Sequence, residues 1–300
     1  MQTYGNVITV KEALEKGIAI LKKSDIKTPA LEAGVMLCNA LKCDKAFLYS
    51  RNENTMTYES SCIFFDSLEK RISGIPLQYI TGRQEFMSLT FEVSPNVLIP
   101  RQDTEILVET VIRYAGLLKT GNIRILDIGT GSGCIAVCLA YYIKNCTITA
   151  LDISKEALDI ARRNAENAGV ENRICFIQSN LFSRLSSHHG IDNIHCFDII
   201  VSNPPYIKTE DMEKLQTEIK CHEPHVALCG GYDGLNFYRS IIKKSPQFLS
   251  REGLLALEVG YNQAADVTGL MEDRFFDISV LKDLSNIERV VTGRLKSQAV

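Results

Sequence analysis

The stretch RILDIGTGSGCIAVCLA, residues 124–140, restricts the fold more than any other part of the chain. Arg124 to Ile128 is strand-forming, Gly129-Thr130-Gly131-Ser132-Gly133 follows without a spacer, and an apolar helical run opens at Cys134. A strand that turns through glycines into a helix is the first half of a βαβ unit. The glycines let the backbone turn sharply and approach a ligand with no Cβ in the way. The next strand-forming run, Thr147 to Leu151, ends in Asp152, an acidic side chain placed to accept hydrogen bonds from both hydroxyls of a ribose.

This pattern fits a dinucleotide site or an S-adenosylmethionine (SAM) site. The dinucleotide fingerprint G-x-G-x-x-G requires glycine at position 134, where this chain has Cys134. The tighter G-x-G-x-G after Leu126-Asp127 favours SAM, whose methionine end presents a carboxylate and an ammonium rather than a pyrophosphate. A third strand, Ile174 to Gln178, ends at Ser179-Asn180-Leu181-Phe182. Ligands of a doubly wound sheet sit at the carboxyl ends of its strands. Asn180 is therefore expected to accept from the adenine amino group and Leu181 to cover a face of the ring, unless Asn180 only caps the turn.

A fourth strand, Cys196 to Val201, runs into Ser202-Asn203-Pro204-Pro205-Tyr206 at the same edge. An amide or nucleobase amino group is a poor nucleophile because its lone pair is delocalised. Two acceptors, one for each N–H, draw the hydrogens toward a pyramidal arrangement and aim the lone pair at an incoming methyl group. The Asn203 side-chain oxygen and the Pro204 carbonyl are the natural pair, and proline stiffness keeps that carbonyl in place. Tyr206 offers a flat surface for a planar amide or base. The competing reading is a plain Pro-Pro turn. A neighbouring nucleoside half-site favours the chemical one.

Around this site the periodicity divides the chain. Residues 1–78 show helical spacing: Val10-Ala13-Leu14-Gly17-Ile18-Leu21 with Thr9 as N-cap and Glu12 three residues on, then Ala30 to Leu41 after Pro29, then Tyr58 to Ser73 before Gly74 and Pro76. This predicts a small helical bundle. Residues 79–100 form a predicted β-hairpin linker, since Glu85 to Val93 alternates as strand residues do and Ser94-Pro95-Asn96 supplies a turn. From 101 to 300 helix and strand patterns alternate, which predicts an α/β domain with a mostly parallel sheet and helices on both faces.

Composition excludes several classes. No apolar run crosses a bilayer, and Met1-Gln2-Thr3-Tyr4 lacks the basic start and apolar stretch of a signal peptide, so a cytoplasmic location and no membrane partner are expected. The ten cysteines form no CxxC pair and are expected to be reduced, most of them acting as small core residues. Cys221-His222-Glu223-Pro224-His225 with Cys229 lacks the two paired-ligand clusters of a zinc site, so no metal is expected. His188-His189, in a Ser-rich loop, reads as solvated. The net charge is −3, with 10 basic against 9 acidic residues in 1–78 (+1) and −4 in the remainder. Neither part has the basic excess of a nucleic-acid binder.

With these residues in hand, the chain resembles the release-factor glutamine methyltransferase family. The stretches that carry the resemblance are LQYITGRQEF (77–86), LIPRQDTEILVE (98–109), ILDIGTGSGCIAVCLA (125–140), LDIS (151–154), VSNPPYI (201–207), HEPHVALCGGYDGLNFYR (222–239), LALEVGYNQ (255–263) and ERVVTGR (288–294). The glycine loop and NPPY are shared by many amino-group methyltransferases, whereas 98–109 and 222–239 are more particular to this family.

The resemblance implies a class I SAM-dependent methyltransferase fold, with a Rossmann-like seven-stranded sheet, an N-terminal helical bundle and a hairpin linker. It implies methyl transfer from SAM, leaving S-adenosylhomocysteine, to the side-chain amide of the glutamine in the Gly-Gly-Gln loop of peptide-chain release factors. Gly129, Thr130, Gly131, Ser132, Gly133 and Asp152 would hold the cofactor, with Asn180 and Leu181 at the adenine. Asn203, Pro204, Pro205 and Tyr206 would hold the glutamine, with Asn203 also beside the cofactor. The helical domain would contact the body of the release factor, and a monomer is expected.

The chain departs from the family pattern at three places. Gln102 replaces the second proline of Pro-Arg-Pro, Met87-Ser88 replaces aromatic-Gly in the hairpin, and Asn180 stands where an aspartate is usual. The last is expected to cost about 1 kcal/mol of cofactor affinity at most, since an amide still accepts one hydrogen bond. Two other readings compete. One is an adenine-N6 DNA or RNA methyltransferase, because an adenine amino group fits the same corner. The other is a SAM-binding module without catalysis, against which intact Asn203 and Tyr206 argue.

Overall fold

The structure is a computed structural model, and it describes residues 8–119, 121–185 and 197–297. His188-His189, Cys196 and the first residues of the chain lie outside these. Five helices come first: α1 (Val10–Lys23), α2 (Pro29–Leu41), α3 (Lys45–Ser50), α4 (Tyr58–Ile72) and α5 (Leu77–Thr81). A hairpin of β1 (Arg83–Phe86) and β2 (Leu89–Glu92) follows. Next come α6 (Glu105–Ala115), β3 (Ile123–Ile128), α7 (Cys134–Tyr142), β4 (Cys146–Asp152), α8 (Lys155–Asn167), β5 (Ile174–Gln178) and β6 (Phe197–Ser202). The chain continues through β7 (Ile207–Lys208), α9 (Thr217–His222), β8 (Cys229–Gly231), α10 (Asn236–Lys244), β9 (Leu249–Glu258), α11 (Ala264–Met271), β10 (Phe275–Lys282) and β11 (Glu288–Leu295).

These elements form two compact units. The first is Met1–Arg83 together with Gln216–His222, and the second is Gln84–Leu215 with Glu223–Val300. In the first unit α1 opens with the capping box expected from Thr9 and Glu12, each side chain bonded to the other's backbone N–H. Pro29 sits in the first turn of α2, where a missing N–H costs nothing. Phe64, Leu21, Met36 and Leu37 are fully buried at the centre. The buried Arg71 guanidinium is paired twice, with Glu32 at 2.5 Å and with Glu218 of α9 at 2.7 Å. A buried charge of this kind is tolerable only when paired, so α9 completes the unit electrostatically although it lies far along the chain. Helices α3 and α5 were not anticipated, since each spans fewer than two turns and shows no periodicity.

The second unit is built on a seven-stranded sheet of order β10-β11-β9-β6-β3-β4-β5. Neighbours from β9 to β5 run parallel, and β11 lies antiparallel to both β9 and β10. The strands are apolar on both faces, as a doubly covered sheet requires. Ile125, Ile148, Ile199 and Val201 pack with Leu107, Val111 and Ala136 from α6 and α7. Their alternates Leu126, Leu151, Ile200 and Leu255 pack with Tyr238, Ile241 and Val267 from α10 and α11. From β3 the chain moves outward through β4 and β5, then returns to the other side of β3 with β6. That reversal opens a crevice at the carboxyl ends of β3, β4 and β6, the usual ligand site of such sheets.

The hairpin turn corrects the sequence expectation. It falls at Met87-Ser88, both in the left-handed region (φ 49° and 59°), while Ser94-Pro95-Asn96 does turn the chain, Val97 N–H donating to the Ser94 carbonyl (3.0 Å), but beyond the end of β2. Two-residue hairpin loops favour this geometry but usually signal it with Asn-Gly or Gly, so the turn was invisible in the sequence. Tertiary bonds hold it: Met87 N–H donates to Glu105 Oε1 (2.8 Å), and the Tyr142 hydroxyl donates to the Met87 carbonyl (2.6 Å). Phe86 and Phe91 meet edge to face in the core of the second unit.

The cysteines are also redistributed. All nine in the described residues are free thiols, but only Cys138 and Cys146 are buried, while Cys175 and Cys221 are exposed. Cys175 lies on β5, the edge strand, where only Ile174 is fully buried. Cys134 packs half-buried against the core of the second unit and Cys38 and Cys43 against that of the first, so five of the nine sit in or against a core. Among the described residues no helix is long and apolar enough to cross a membrane, and no group of three or more His, Cys, Asp or Glu side chains is arranged to hold a metal.

Candidate active site

The crevice at the strand ends holds a cavity of about 400 Å³ in the second unit. It brings together Gly129, Gly131, Asp152, Asn180, Leu181, Asn203, Pro204 and Pro205. Four sequence-expected residues are not on its wall. Thr130 is buried, and its hydroxyl donates to Asp127 Oδ2 (2.6 Å). Ser132 is buried, and its carbonyl accepts from Asn164 Nδ2 (2.8 Å). Gly133 faces Ala161, where a Cβ would come within 2.9 Å of the Ala161 methyl. Tyr206 is partly buried and packs against the hydrophobic cluster that includes Tyr238 and Val259.

The loop's shape follows from its glycines. Gly129, Gly131 and Gly133 all have positive φ (74°, 56° and 81°), a conformation that L side chains rarely adopt. No atom lies within 4 Å of where a Cβ at Gly129 or Gly131 would stand, so the backbone there is open to a ligand. The N–H groups of Gly129 and Thr130 both donate to the Leu151 carbonyl (2.8 and 2.9 Å), which ties the loop to the end of β4. Asn164 on α8 adds a second tie. Besides Ser132 it grips Glu92 of β2, accepting from its N–H at 2.7 Å and donating to its carbonyl at 3.0 Å.

Asp152 closes the other side. Its Oδ2 accepts from Gly131 N–H (2.8 Å) and its Oδ1 from Ser154 N–H (2.9 Å). Burial raises its pKa, and these backbone donors pull it back down. A carboxylate offers about four acceptor sites, so each oxygen keeps a lone pair for a ribose hydroxyl. Asn180 is exposed beside the cavity and Leu181 half-buried. Leu181 has a left-handed backbone (φ 49°), costly for a side chain other than glycine. The Ser179 hydroxyl holds that turn, donating to the Leu181 carbonyl (2.6 Å) while accepting from Arg184 N–H (3.1 Å).

The corner after β6 is fixed from three directions. Ser202 Oγ donates to the Ile128 carbonyl (2.7 Å), locking the ends of β6 and β3 together. Asn203 Nδ2 donates to Thr104 Oγ1 (3.2 Å). Gln263 Nε2 donates to the Tyr206 carbonyl (3.1 Å), and Gln263 Oε1 accepts from Gly260 N–H (3.1 Å). Among the described residues, neither Asn203 Oδ1 nor the Pro204 carbonyl has an intrachain donor. The corner also needs glycine neighbours. A Cβ on Gly234 would lie 2.4 Å from the Tyr206 carbonyl oxygen, and one on Gly260 2.8 Å from the Tyr206 ring. Burial, followed by the nearby Glu258 charge, pushes the Tyr206 phenol up to about 12, so it stays neutral.

A layer of charge lies behind the corner. Arg101 pairs with the buried Glu223 carboxylate. Arg289 bridges Asp103 (2.6 Å) and Asp283 (2.8 Å). Gln102 is exposed on the short 3-10 turn Gln102–Thr104, which forms without the second proline of the family pattern. Glu258 at the end of β9 and Asp127 at the end of β3 are both buried carboxyls. Reading the sequence missed Asp127, Thr104, Asn164, Glu258 and Gln263 as parts of the site. Thr104, Glu258 and Gln263 fall inside stretches already singled out, but no spacing rule marks them.

This arrangement can hold a nucleoside between the glycine loop and Asp152 while presenting two unsatisfied acceptors to an N–H₂ group. Comparison with known proteins places the chain in a family. The PrmC N-terminal domain family matches residues 12–82, and the methyltransferase small domain family matches residues 102–223. A release factor glutamine methyltransferase of Koribacter versatilis is 38% identical over 96% of this chain and 99% of its own length. One of Geobacter sulfurreducens is 38% identical over 96% of this chain and 97% of its own. The catalytic domain of hMettl16, solved with an RNA hairpin, superposes with a TM-score of 0.56 over 86% of this chain and 94% of that one. At 15% identity it shares the methyltransferase fold alone. With sequence identity sustained from end to end, the chain belongs to the release factor glutamine methyltransferase family.

Proposed function

We propose that this protein transfers a methyl group from SAM to the side-chain amide nitrogen (N5) of the glutamine in the Gly-Gly-Gln loop of peptide-chain release factors. One observation carries the reading. Asn203 and Pro204, whose Oδ1 and carbonyl have no donor among the described residues, line the cavity that the glycine loop and Asp152 also line. The residues fit SAM: open backbone at Gly129 and Gly131, spare carboxylate lone pairs on Asp152, and an apolar cover at Leu181.

SAM supplies an electrophilic methyl on a sulfonium, and the carbon–sulfur bond that breaks leaves neutral S-adenosylhomocysteine. The chain's task is to make an amide nitrogen nucleophilic. Asn203 Oδ1 and the Pro204 carbonyl each accept one N–H of the substrate amide. This turns its lone pair out of conjugation and along the line of attack. Preorganised acceptors of this kind act without reorganising as charge develops. Tyr206, off the cavity wall and kept neutral, backs the corner by packing on the hydrophobic core, and the excess proton on nitrogen passes to solvent after transfer. Every group in this account comes from one chain, so a monomer suffices, and a release-factor substrate places the reaction in the cytoplasm.

The test is to incubate the protein with labelled SAM and whole release factor, then map the label. Label on the Gly-Gly-Gln glutamine is the expected result. Label on DNA or RNA, with none on release factor, would overturn the assignment in favour of an adenine-N6 methyltransferase.

A further inference from the structure

Glu258 does not touch the cavity, yet it sits directly behind the residue on which the chemistry turns. It ends β9 with 2% of its surface exposed, and its Oε2 has no hydrogen-bond partner among the described residues. Its backbone is pinned. The carbonyl accepts from the fully buried Tyr238 hydroxyl (2.9 Å), and its Cα pairs with Val290 across the β9–β11 ladder. Buried carboxylates without a full set of partners are costly, and a neutral amide of the same shape would remove much of that cost. A carboxylate retained in such a place calls for a reason other than stability.

The neighbours supply one. Thr104 Oγ1 accepts from Asn203 Nδ2 at 3.2 Å. A hydroxyl that accepts there turns its own proton elsewhere, and both the Thr104 hydroxyl and the Asn203 amide favour the charged form of Glu258. Ser202 pairs with Leu257 across the β6–β9 ladder, which sets the next residues, Asn203 and Glu258, side by side at the strand ends, with the Asn203 N–H on the Thr104 hydroxyl. We infer that Glu258, acting with Thr104, is a positioning residue: its charge holds the Asn203 amide with nitrogen inward and oxygen toward the substrate. With Nδ2 facing inward, Oδ1 points to the cavity. In a low-dielectric site a carboxylate beside the amide nitrogen also polarises the amide, so Oδ1 becomes a stronger acceptor for the substrate N–H. This inference rests on the amide-transfer reading above.

Protonation of Glu258 would remove that charge. Burial holds its carboxyl up at about 7. Arg289 on β11 opposes that rise and Asp103 on the Gln102–Thr104 turn adds to it. Tyr206, Tyr238 and Cys134 are the other titratable groups that feel its charge. All three keep their protons near neutrality, so Glu258 is the group in this cluster that changes charge there.

The experiment compares wild type, Glu258→Gln, Thr104→Val and Thr104→Ser in methyl transfer from SAM to whole release factor. The readouts are kcat, KM, the SAM dissociation constant and melting temperature. Expected are a kcat lowered about tenfold or more in Glu258→Gln and Thr104→Val, with SAM affinity within about twofold of wild type. Thr104→Ser restores most of the kcat lost in Thr104→Val. Wild-type kcat climbs through about pH 7, and that limb is absent from Glu258→Gln. A purely structural carboxylate would give a Glu258→Gln protein at least as stable as wild type with unchanged kcat and pH profile, and that result would overturn the inference. Should Glu258→Gln fail to fold, wild-type kcat in Thr104→Val overturns it equally. If wild type instead methylates nucleic acid, the amide assignment fails, while the ratio of variant to wild-type rate still tests Glu258.

Discussion

Gln263 holds two separated pieces of backbone with one side chain: its amide N–H donates to the Tyr206 carbonyl and its amide oxygen accepts from Gly260 N–H, both at 3.1 Å. The Asn-Pro-Pro-Tyr corner is therefore stapled at its far end, while Thr104 holds its near end. Replacing Gln263 by Ala removes both bonds and leaves a carbonyl and an N–H to find water. The predicted cost is about 1–3 kcal/mol of stability, read as a lower urea midpoint. A larger effect is expected on turnover, because the Pro204 carbonyl loses its fixed position. Glu at 263 loses only the donor, so it should keep the Gly260 bond yet still lower kcat. Unchanged kinetics in both variants would show that the corner needs no staple.

Asp152 meets the glycine loop through Gly131 and the start of α8 through Ser154. Asp152→Ala should therefore weaken SAM binding by tenfold or more, about 1.4 kcal/mol or above. Titration calorimetry with SAM reads this directly. An unaltered dissociation constant would mean that the ribose is held elsewhere.

Met87-Ser88 turns the hairpin through two left-handed residues. A left-handed backbone costs a non-glycine residue about 1–2 kcal/mol, part of which glycine gives back as unfolded-state entropy. Ser88→Gly should stabilise the protein by roughly 0.5–1 kcal/mol, measured by denaturant unfolding. A destabilised variant would indicate that the Ser88 side chain has a role of its own.

Two buried carboxyls make stability depend on pH. Burial pushes Asp127 and Glu258 up to about 7 each, from ordinary values of 3.8 and 4.5. Between those limits the folded chain holds protons that the unfolded chain has released. Stability is therefore greatest on the acid side of this window and falls as pH rises through it. Each group accounts for on the order of 3 kcal/mol of that fall. Urea midpoints should drop from about pH 5 to about pH 8, and drop less in Asp127→Asn and Glu258→Gln. Midpoints that rise over that range in wild type alone would contradict the assignment of protons.

Much of this site could be read in the sequence, because it depends on contiguous residues. A strand, three glycines with positive φ and a helix are one local event, and so is a strand that ends in Asn203-Pro204-Pro205-Tyr206. Asp152 was legible because it closes the next strand. What stayed hidden acts across the chain. Thr104 reaches Asn203 over 99 residues and Gln263 reaches Tyr206 over 57, and neither carries a local signal. The hairpin turn was hidden for the opposite reason. Its residues are poor turn formers, and Glu105 and Tyr142 hold it in place from outside. The placement of α9 in the first unit was hidden as well, since it depends on where the buried Arg71 finds its second partner.

The account's central claim is that Asn203 and Pro204 hold an amide nitrogen in line with a methyl group. The most direct test compares wild type with Asn203→Ala on whole release factor, mapping methylation by mass spectrometry and measuring SAM affinity in parallel. The account predicts a methylated Gly-Gly-Gln glutamine with wild type, none with Asn203→Ala, and SAM affinity largely retained. Turnover by Asn203→Ala at the wild-type rate would contradict it.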